Sequence, residues 1–252
     1  MRRNIVLALL FIVFQIQAQS WKLVWSDEFN TTGLPDSTKW MTETAAARNN
    51  ELQHYTDRRI ENIHVEKGNL FIVARKEAYQ GAKYTSARLS TDGKINFRYG
   101  KIEARIKLPA GQGIWPAFWL LGQCIKQTGS PACGEIDIME HVNNENKIHG
   151  TMHWNHNGLI SQGGTADCQV QQFHIYAVEW DKNAIKWLLD GRMYQEINIR
   201  KNRNNTQAFH KPFYIILNLA IGGNWPGDPD STTVFPDTMK VDYVRVYKRI
   251  RY

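Results

Sequence analysis

Short alternating runs bounded by Gly, Asn and Asp turns predict an all-β chain folded as a single sandwich or barrel. Two further observations support this. No window longer than ten residues carries helical periodicity, and no internal repeat or linker divides the 252 residues. A chain of this size buries enough surface for one all-β domain without a second core.

The elements follow in order. Arg2 and Arg3, the apolar run Ile5 to Ile16 and then Gln17-Ala18-Gln19 read as a secretory signal peptide over 1–18, cleaved after Ala18 to leave one domain over 19–252. The run is shorter than the roughly 20 residues that span a bilayer, and no later segment is apolar enough to cross. The mature chain is therefore expected to be secreted, extracellular or periplasmic, with no membrane span, and a monomer is expected. Trp21 to Phe29 reads as a first strand, and polar Thr42 to Asp57 as a long loop. Asn69 to Lys76 and Ala87 to Thr91 read as strands, with a turn at Asp92-Gly93. In Lys101 to Leu108, Ile102, Ala104, Ile106 and Leu108 alternate with charged residues, which predicts one face on the core and the other in water. Trp115 and Trp119 are four residues apart in the apolar run Gly111 to Gly122, so they share a face if it is a strand. Lys147 to Trp154 places His149, Thr151 and His153 on one face. Phe173 to Asp181 and Ala184 to Ile197 follow, the latter folded at an Asp190-Gly191 turn. Pro212 to Ile221 is almost wholly apolar, as a central strand buried on both faces would be. It leads into Gly222 to Gly227, a loop with Trp225 near its tip. Val241 to Lys248 closes the domain.

Charge and cysteine content narrow the functions. The formal charge falls from +7 to +5 once Arg2 and Arg3 leave with the leader. The excess sits in Arg200, Lys201 and Arg203 and in Lys248, Arg249 and Arg251, runs expected to be solvated, and no nucleic-acid module accompanies them. The three cysteines, Cys124, Cys133 and Cys168, are most simply one disulfide and one thiol in a secreted chain. A Cys124–Cys133 bridge would close the loop before the next strand, although three pairings are open. No Cys-x-x-Cys pair suggests a metal, and the spacing of His149, His153 and His156 matches no standard ligand pattern.

The chemistry concentrates in Gly134-Glu135-Ile136-Asp137-Ile138-Met139-Glu140-His141. Alternation places Glu135 and Asp137 on one face but would send Glu140 to the other, unless a one-residue β-bulge near Ile138 and Met139 restores the phase. With the bulge, the carboxyl groups of Glu135 and Glu140 come to roughly 5–6 Å, the separation used by retaining glycosidases. A bland alternative is a solvent-facing strand whose acids pair with Lys and Arg on its neighbour. The nine Trp residues favour the first reading, since Trp115, Trp119 and Trp225 in Gly-rich settings can offer flat faces to sugar rings. His153 on the following strand would lie beside the acids.

These motifs, with Trp25 to Phe29, Asn49 to Gln53, Gly113 to Leu121, Gly150 to Trp154 and Gly222 to Gly227, resemble glycoside hydrolase family 16 over essentially the whole span Trp21 to Tyr247. The extra residue Met139 resembles the bulged, laminarinase branch. The resemblance implies a β-jelly-roll sandwich with a concave substrate cleft and endo-acting, retaining hydrolysis of β-glucan, with no cofactor for catalysis. In that reading Glu135 is the nucleophile, Glu140 the acid/base and Asp137 the helper between them. Trp115, Trp119 and Trp225 are sugar platforms, and Asn49, Arg88 and His153 are polar contacts. Glu28, the Gly68 carbonyl and Asp242 match a structural Ca2+ site, as all-oxygen ligands suit calcium. One departure is Thr44-Ala45-Ala46-Ala47-Arg48, where such enzymes carry a Gly-rich run with a Trp. The expected substrate is β-1,3-glucan, with mixed β-1,3-1,4-glucan, a galactan, transglycosylation and non-catalytic glucan binding as alternatives.

Overall fold

The computed structural model describes residues 21–44 and 48–250, so the leader 1–18 and the middle of the Thr44 to Arg48 run lie outside the described residues. Two largely antiparallel sheets face each other as a sandwich. The convex sheet runs β15 (Arg192–Asn198), β14 (Ala184–Leu189), β13 (Phe173–Trp180), β8 (Gly100–Lys107), β17 (Asp237–Arg249), β5 (Asn69–Tyr79), β6 (Ala82–Ser86) and β3 (Gln53–Tyr55). Onto it β1 (Trp21–Asp27) pairs with β17, and β4 (Ile63–Glu66) with β5. The concave sheet runs β12 (Leu159–Asp167), β11 (Lys147–Asn155), β10 (Glu135–Glu140), β9 (Ile114–Gly122), β16 (Phe213–Ile221), β7 (Arg88–Ser90) and β2 (Met41–Thr42).

Alternation builds the core between the sheets. Ile102, Ala104 and Ile106 of β8 meet Ile136, Phe118, Leu217 and Leu219 of the concave sheet in one buried cluster. Every residue of β16 is buried. Its odd-numbered residues enter that cluster, while Tyr214 and Ile216 enter a smaller one on the concave side with Leu121 and Cys133. Helix α1 (Ile125–Thr128) packs Ile125 over this smaller cluster, so the concave sheet is capped at one end and open beyond it. Burying both faces of a central strand contributes about 25 cal/mol for each Å² of apolar surface removed from water.

Several expectations change. On the outer face of β8, Lys101, Arg105 and Lys107 are partly exposed as expected, but Glu103 is buried, paired with Lys101 at 2.6 Å and accepting from the Tyr247 hydroxyl at 3.0 Å. The cause is the neighbouring long β17, whose Tyr243 and Arg245 stack with the guanidinium carbon 3.7 Å from the ring centroid. The Thr42 to Asp57 loop contains β3, which pairs in parallel with β6. Strand β12 is rich in Ser, Gly and Gln and carries little alternation, so β11 must supply its register. Arg200–His210 forms a 3-10 helix held by Trp154 and Trp180 indole N–H groups donating to the carbonyls of Asn204 and Phe209. Lys248 is no solvated tail: Nζ donates to the carbonyls of Arg98 and Tyr99, and burial lowers its pKa. All three cysteines are thiols here, Cys124 directing Sγ at the Cys133 carbonyl 3.9 Å away. The Asp190-Gly191 hairpin forms as expected, both residues at positive φ.

Candidate active site

The register of β10 contains the bulge. Against β9, Asp137 faces Trp119, Met139 faces Phe118 and Glu140 faces Ala117, so Ile138 has no place of its own in the ladder. Against β11, Glu135 faces His153, Asp137 faces Thr151 and Glu140 faces His149. Ile138 and Met139 consequently both turn into the core, and Glu135, Asp137 and Glu140 all line one cleft of about 730 Å³. A second anchor comes from across the sandwich, where the Trp187 indole N–H donates to the Asp137 carbonyl at 2.8 Å. Gly150 makes room for that indole, because a Cβ there would come within 2.4 Å of Trp187.

All six side chains expected to touch substrate line the same cleft. Trp115 donates its indole N–H to Glu140 Oε1 at 3.0 Å and meets Trp225 edge to face at 5.6 Å. Trp225 is 43% exposed, and its other neighbour is the His149 ring at 4.8 Å. This corner therefore presents an aromatic wall beside one carboxyl. Trp119 donates to Asn218 Oδ1 at 2.7 Å, which leaves its ring against the Arg88 guanidinium at 4.8 Å. Arg88 is only 6% exposed, and Glu43 Oε2 lies 3.0 Å from its Nε as an ion pair. The nearby Arg48 lies 3.9 Å from the same carboxylate, so the cleft wall carries less net positive charge than its arginines suggest. Asn49, at φ 53, turns the chain so that its carbonyl accepts the Asn224 N–H at 2.9 Å. Asn50 adds a 2.7 Å bond to the Asn224 side chain, and the two loops clasp.

His153 faces the acids, with Nε2 3.1 Å from Asp137 Oδ2 and 4.0 Å from Glu135 Oε1. Its Nδ1 is 2.7 Å from Ser161 Oγ on β12. Burial raises the pKa of Glu135, partly offset by the charges of His153 and Arg88. Asp137 is 3% exposed and is pushed well above the usual carboxylate range by burial and then by the charge of Glu135. Glu140 is likewise pushed well up, by burial and then by Asp137, against the Trp115 hydrogen bond that favours its charged form. Nearby cations thus oppose the upward shift of Glu135, while at Asp137 and Glu140 neighbouring carboxylates add to it, so the environment favours the protonated form more at these two than at Glu135.

Sequence reading missed other residues of the cleft. Glu51 lines it with a pKa raised by burial and with Gln53 donating at 2.6 Å. Glu43, Asn218 and Ser161 orient Arg88, Trp119 and His153, yet each belongs to a different strand or loop and forms no local motif. The register of β11 on β12 pairs Ser161 with His153, a contact that only the sheet creates.

The three residues matched to a metal lie on the convex sheet, near the corner of β1, β4, β5 and β17. Both oxygens of Glu28 are taken by Arg245, at 2.9 and 2.7 Å, which lowers the pKa of Glu28. Its carboxylate is engaged in that ion pair. Asp242 accepts from Arg105 at 2.7 Å through Oδ2, and Gly68 sits in the β4–β5 turn at φ 73.

Known proteins are similar to this chain in sequence and fold. Residues 39–245 match the model of the family described as Glycosyl hydrolases family 16. The chain is 44% identical over 254 residues to a beta-glucanase of Rhodothermus marinus, covering 92% of this chain and 87% of that one. It is 43% identical over 241 residues to the clotting factor G alpha subunit of Tachypleus tridentatus, which covers 90% of this chain but only 34% of that protein. Among solved structures, the catalytic domain of an endo-1,3-beta-glucanase (laminarinase) from Thermotoga petrophila RKU-1 is similar with a TM-score of 0.85 and 41% identity. It covers 93% of this chain and 100% of that one.

Proposed function

The chain belongs to the glycosyl hydrolases of family 16, and from that membership we propose that it is a secreted, retaining endo-β-1,3-glucanase that also accepts mixed β-1,3-1,4-glucan. The observation that carries this reading is the bulged strand that aims Glu135, Asp137 and Glu140 into one aromatic-walled cleft. An open cleft suits attack within a polymer, and Trp115, Trp119 and Trp225 supply faces for successive rings.

In the proposed reaction Glu135 attacks the anomeric carbon while Glu140 gives its proton to the departing glycosidic oxygen, forming a glycosyl ester and releasing one chain end. As Glu135 becomes an ester its negative charge disappears, and the pKa of Glu140 falls. Glu140, now a carboxylate, takes a proton from water, whose oxygen attacks the same carbon and restores Glu135. Asp137, protonated and central, keeps a third negative charge out of the site. No cofactor enters these steps.

The leading rival substrate is a sulfated galactan, which would need an unneutralised basic wall. Pairing of Arg88 and Arg48 with Glu43 speaks against it. The decisive test is reducing-sugar release by the mature chain on laminarin, lichenan, carboxymethylcellulose, agarose and κ-carrageenan, with Glu140→Gln as the blank. Activity on laminarin is expected; activity only on a galactan would move the substrate. Silence on all of them would favour a binding protein. NMR of the first products should show β-anomers, and Glu135→Ala should lose hydrolysis but yield an α-glycosyl azide when azide is added.

We further propose export with cleavage after Ala18, checked by N-terminal sequencing of the culture-medium and periplasmic fractions, and a monomeric mature chain. For calcium, Glu28, the Gly68 carbonyl and Asp242 would supply oxygen donors of the kind calcium takes, which requires the two carboxylates to exchange Arg245 and Arg105 for the ion. Bound there, calcium would tie β17 to the β4–β5 turn.

A further inference from the structure

Away from the cleft, a second cavity of about 420 Å³ opens at the shared ends of β8, β13, β14 and β17, and it has no lining residue in common with the first. Its wall carries five Lys and Arg side chains against two carboxylates. One carboxylate, Asp181, accepts the N–H groups of Asn183 and Ala184 at 2.6 and 3.1 Å and so holds the β13–β14 turn. The other, Glu179, stands between Lys101 and Lys186 in the ladder. Lys186 pairs with Glu196 at 3.6 Å, whereas Arg98, Lys182, Lys248 and Arg249 form no ion pair among the described residues. Lys248 uses two of its three N–H donors on the carbonyls of Arg98 and Tyr99, at 2.6 and 2.7 Å. The Arg98 charge adds to burial in lowering the Lys248 pKa, so two like charges stand close together. Such crowding repels unless an anion joins it.

The wall is also aromatic. Half-buried Trp21 faces Arg249 directly across the β1–β17 ladder, so indole and guanidinium share one side of the sheet. Arg98 has its guanidinium carbon 5.5 Å from the Tyr99 ring centroid. An inorganic anion would use the cations alone. A sugar ring that carries an anionic group uses both parts of the wall, its C–H face on the indole and its charge on the guanidinium groups.

We infer that this cavity binds a sugar ring bearing a carboxylate or sulfate group, as part of an acidic polysaccharide. Arg98 and Arg249 would each offer paired N–H donors to the oxygens of that group, Lys248 its remaining N–H and Trp21 the stacking face. The cavity belongs to the convex sheet and the cleft to the concave one, so a polysaccharide held here leaves the acids of β10 open to another strand. In the function proposed above that strand is neutral glucan, and the basic site would hold the enzyme on a matrix that contains both polymers. This consequence rests on the proposed function; the binding itself does not.

The test is titration calorimetry of trigalacturonate, of a dextran sulfate oligosaccharide and of uncharged maltotriose into the full mature chain, with laminarin hydrolysis followed in parallel. One acidic oligosaccharide per chain is expected, bound more weakly as salt rises, with no binding of maltotriose. The tighter of the two acidic probes identifies the group as carboxylate or sulfate. Arg98→Ala should weaken binding about 10-fold or more, and Trp21→Ala about 3–10-fold. Both should leave laminarin hydrolysis unchanged. Lys76→Gln, which removes an exposed charge from β5 outside the cavity, should leave binding unchanged. Far-ultraviolet circular dichroism shows whether each variant is folded; if Arg98→Ala is not, Lys182→Gln on the exposed β13–β14 turn decides. No binding, or binding that Arg98→Ala and Lys76→Gln weaken alike, overturns the proposal. Acidic oligosaccharide bound through Arg98 with no laminarin hydrolysis would leave the site standing and remove the glucanase reading instead.

Discussion

At the residue scale, the proposed roles require Glu140 to keep its proton over the pH range where Glu135 has lost its own. Activity should therefore follow a bell, its acid limb set by Glu135 ionising and its alkaline limb by Glu140 deprotonating, with both limbs above ordinary glutamate values. The Trp115 hydrogen bond stabilises the charged form of Glu140. Trp115→Phe keeps an aromatic ring but removes the donor, so the Glu140 pKa rises and the alkaline limb of kcat/KM should move to higher pH. An alkaline limb that stays or moves down would separate Glu140 from the acid role.

At the element scale, the bulge in β10 works because the strand is gripped from both sides and from behind. β9 and β11 fix its register, and Trp187 reaches across from β14 to the Asp137 carbonyl. The space for that indole is the missing side chain of Gly150, where a Cβ would sit 2.3 Å from the Tyr194 hydroxyl and 2.4 Å from Trp187. Gly150→Ala should cost about 1–3 kcal/mol by overpacking, a fall in Tm of about 2–4 °C for each kcal/mol in a domain of this size. It should also lower kcat as the displaced indole shifts Asp137. Thermal unfolding and laminarin kinetics check both, and an unchanged Tm would mean that the sheet gives way at no cost.

At the scale of the whole molecule, the site is built against stability. Asp137 and Glu140 have folded-state pKa values above the roughly 4 of unfolded chains. Their protonated forms favour the fold below that pH, and this contribution is lost as pH rises through the folded pKa values. Glu140→Gln removes one such group, so the Tm difference between variant and native chain should grow in the variant's favour from pH 4 to pH 7. A difference independent of pH would contradict the raised pKa. The convex sheet should respond separately: EDTA is expected to lower Tm, calcium to restore it, and Asp242→Asn to remove the response. If EDTA leaves Tm unchanged, calcium has no structural role.

Much of this was legible in the residue order. Alternation located β8 and β11, because side-chain direction in a strand has a fixed period of two, while an unbroken apolar run located β16 and the Asp190-Gly191 pair located the hairpin. The odd offset of Glu140 from Glu135 demanded a bulge near Ile138 and Met139 if the acids were to share a face, and the register contains one. The same order could not reveal what depends on neighbours distant in the chain. Glu103 lost its water to β17, Lys248 found two carbonyls, and Ser161 met His153 across a ladder with weak alternation of its own. Local chemistry thus determined that the acids, the tryptophans and the strands exist. Only tertiary packing decided which groups were desolvated, which were neutralised by a partner and which kept a proton, since burial and distance set those energies.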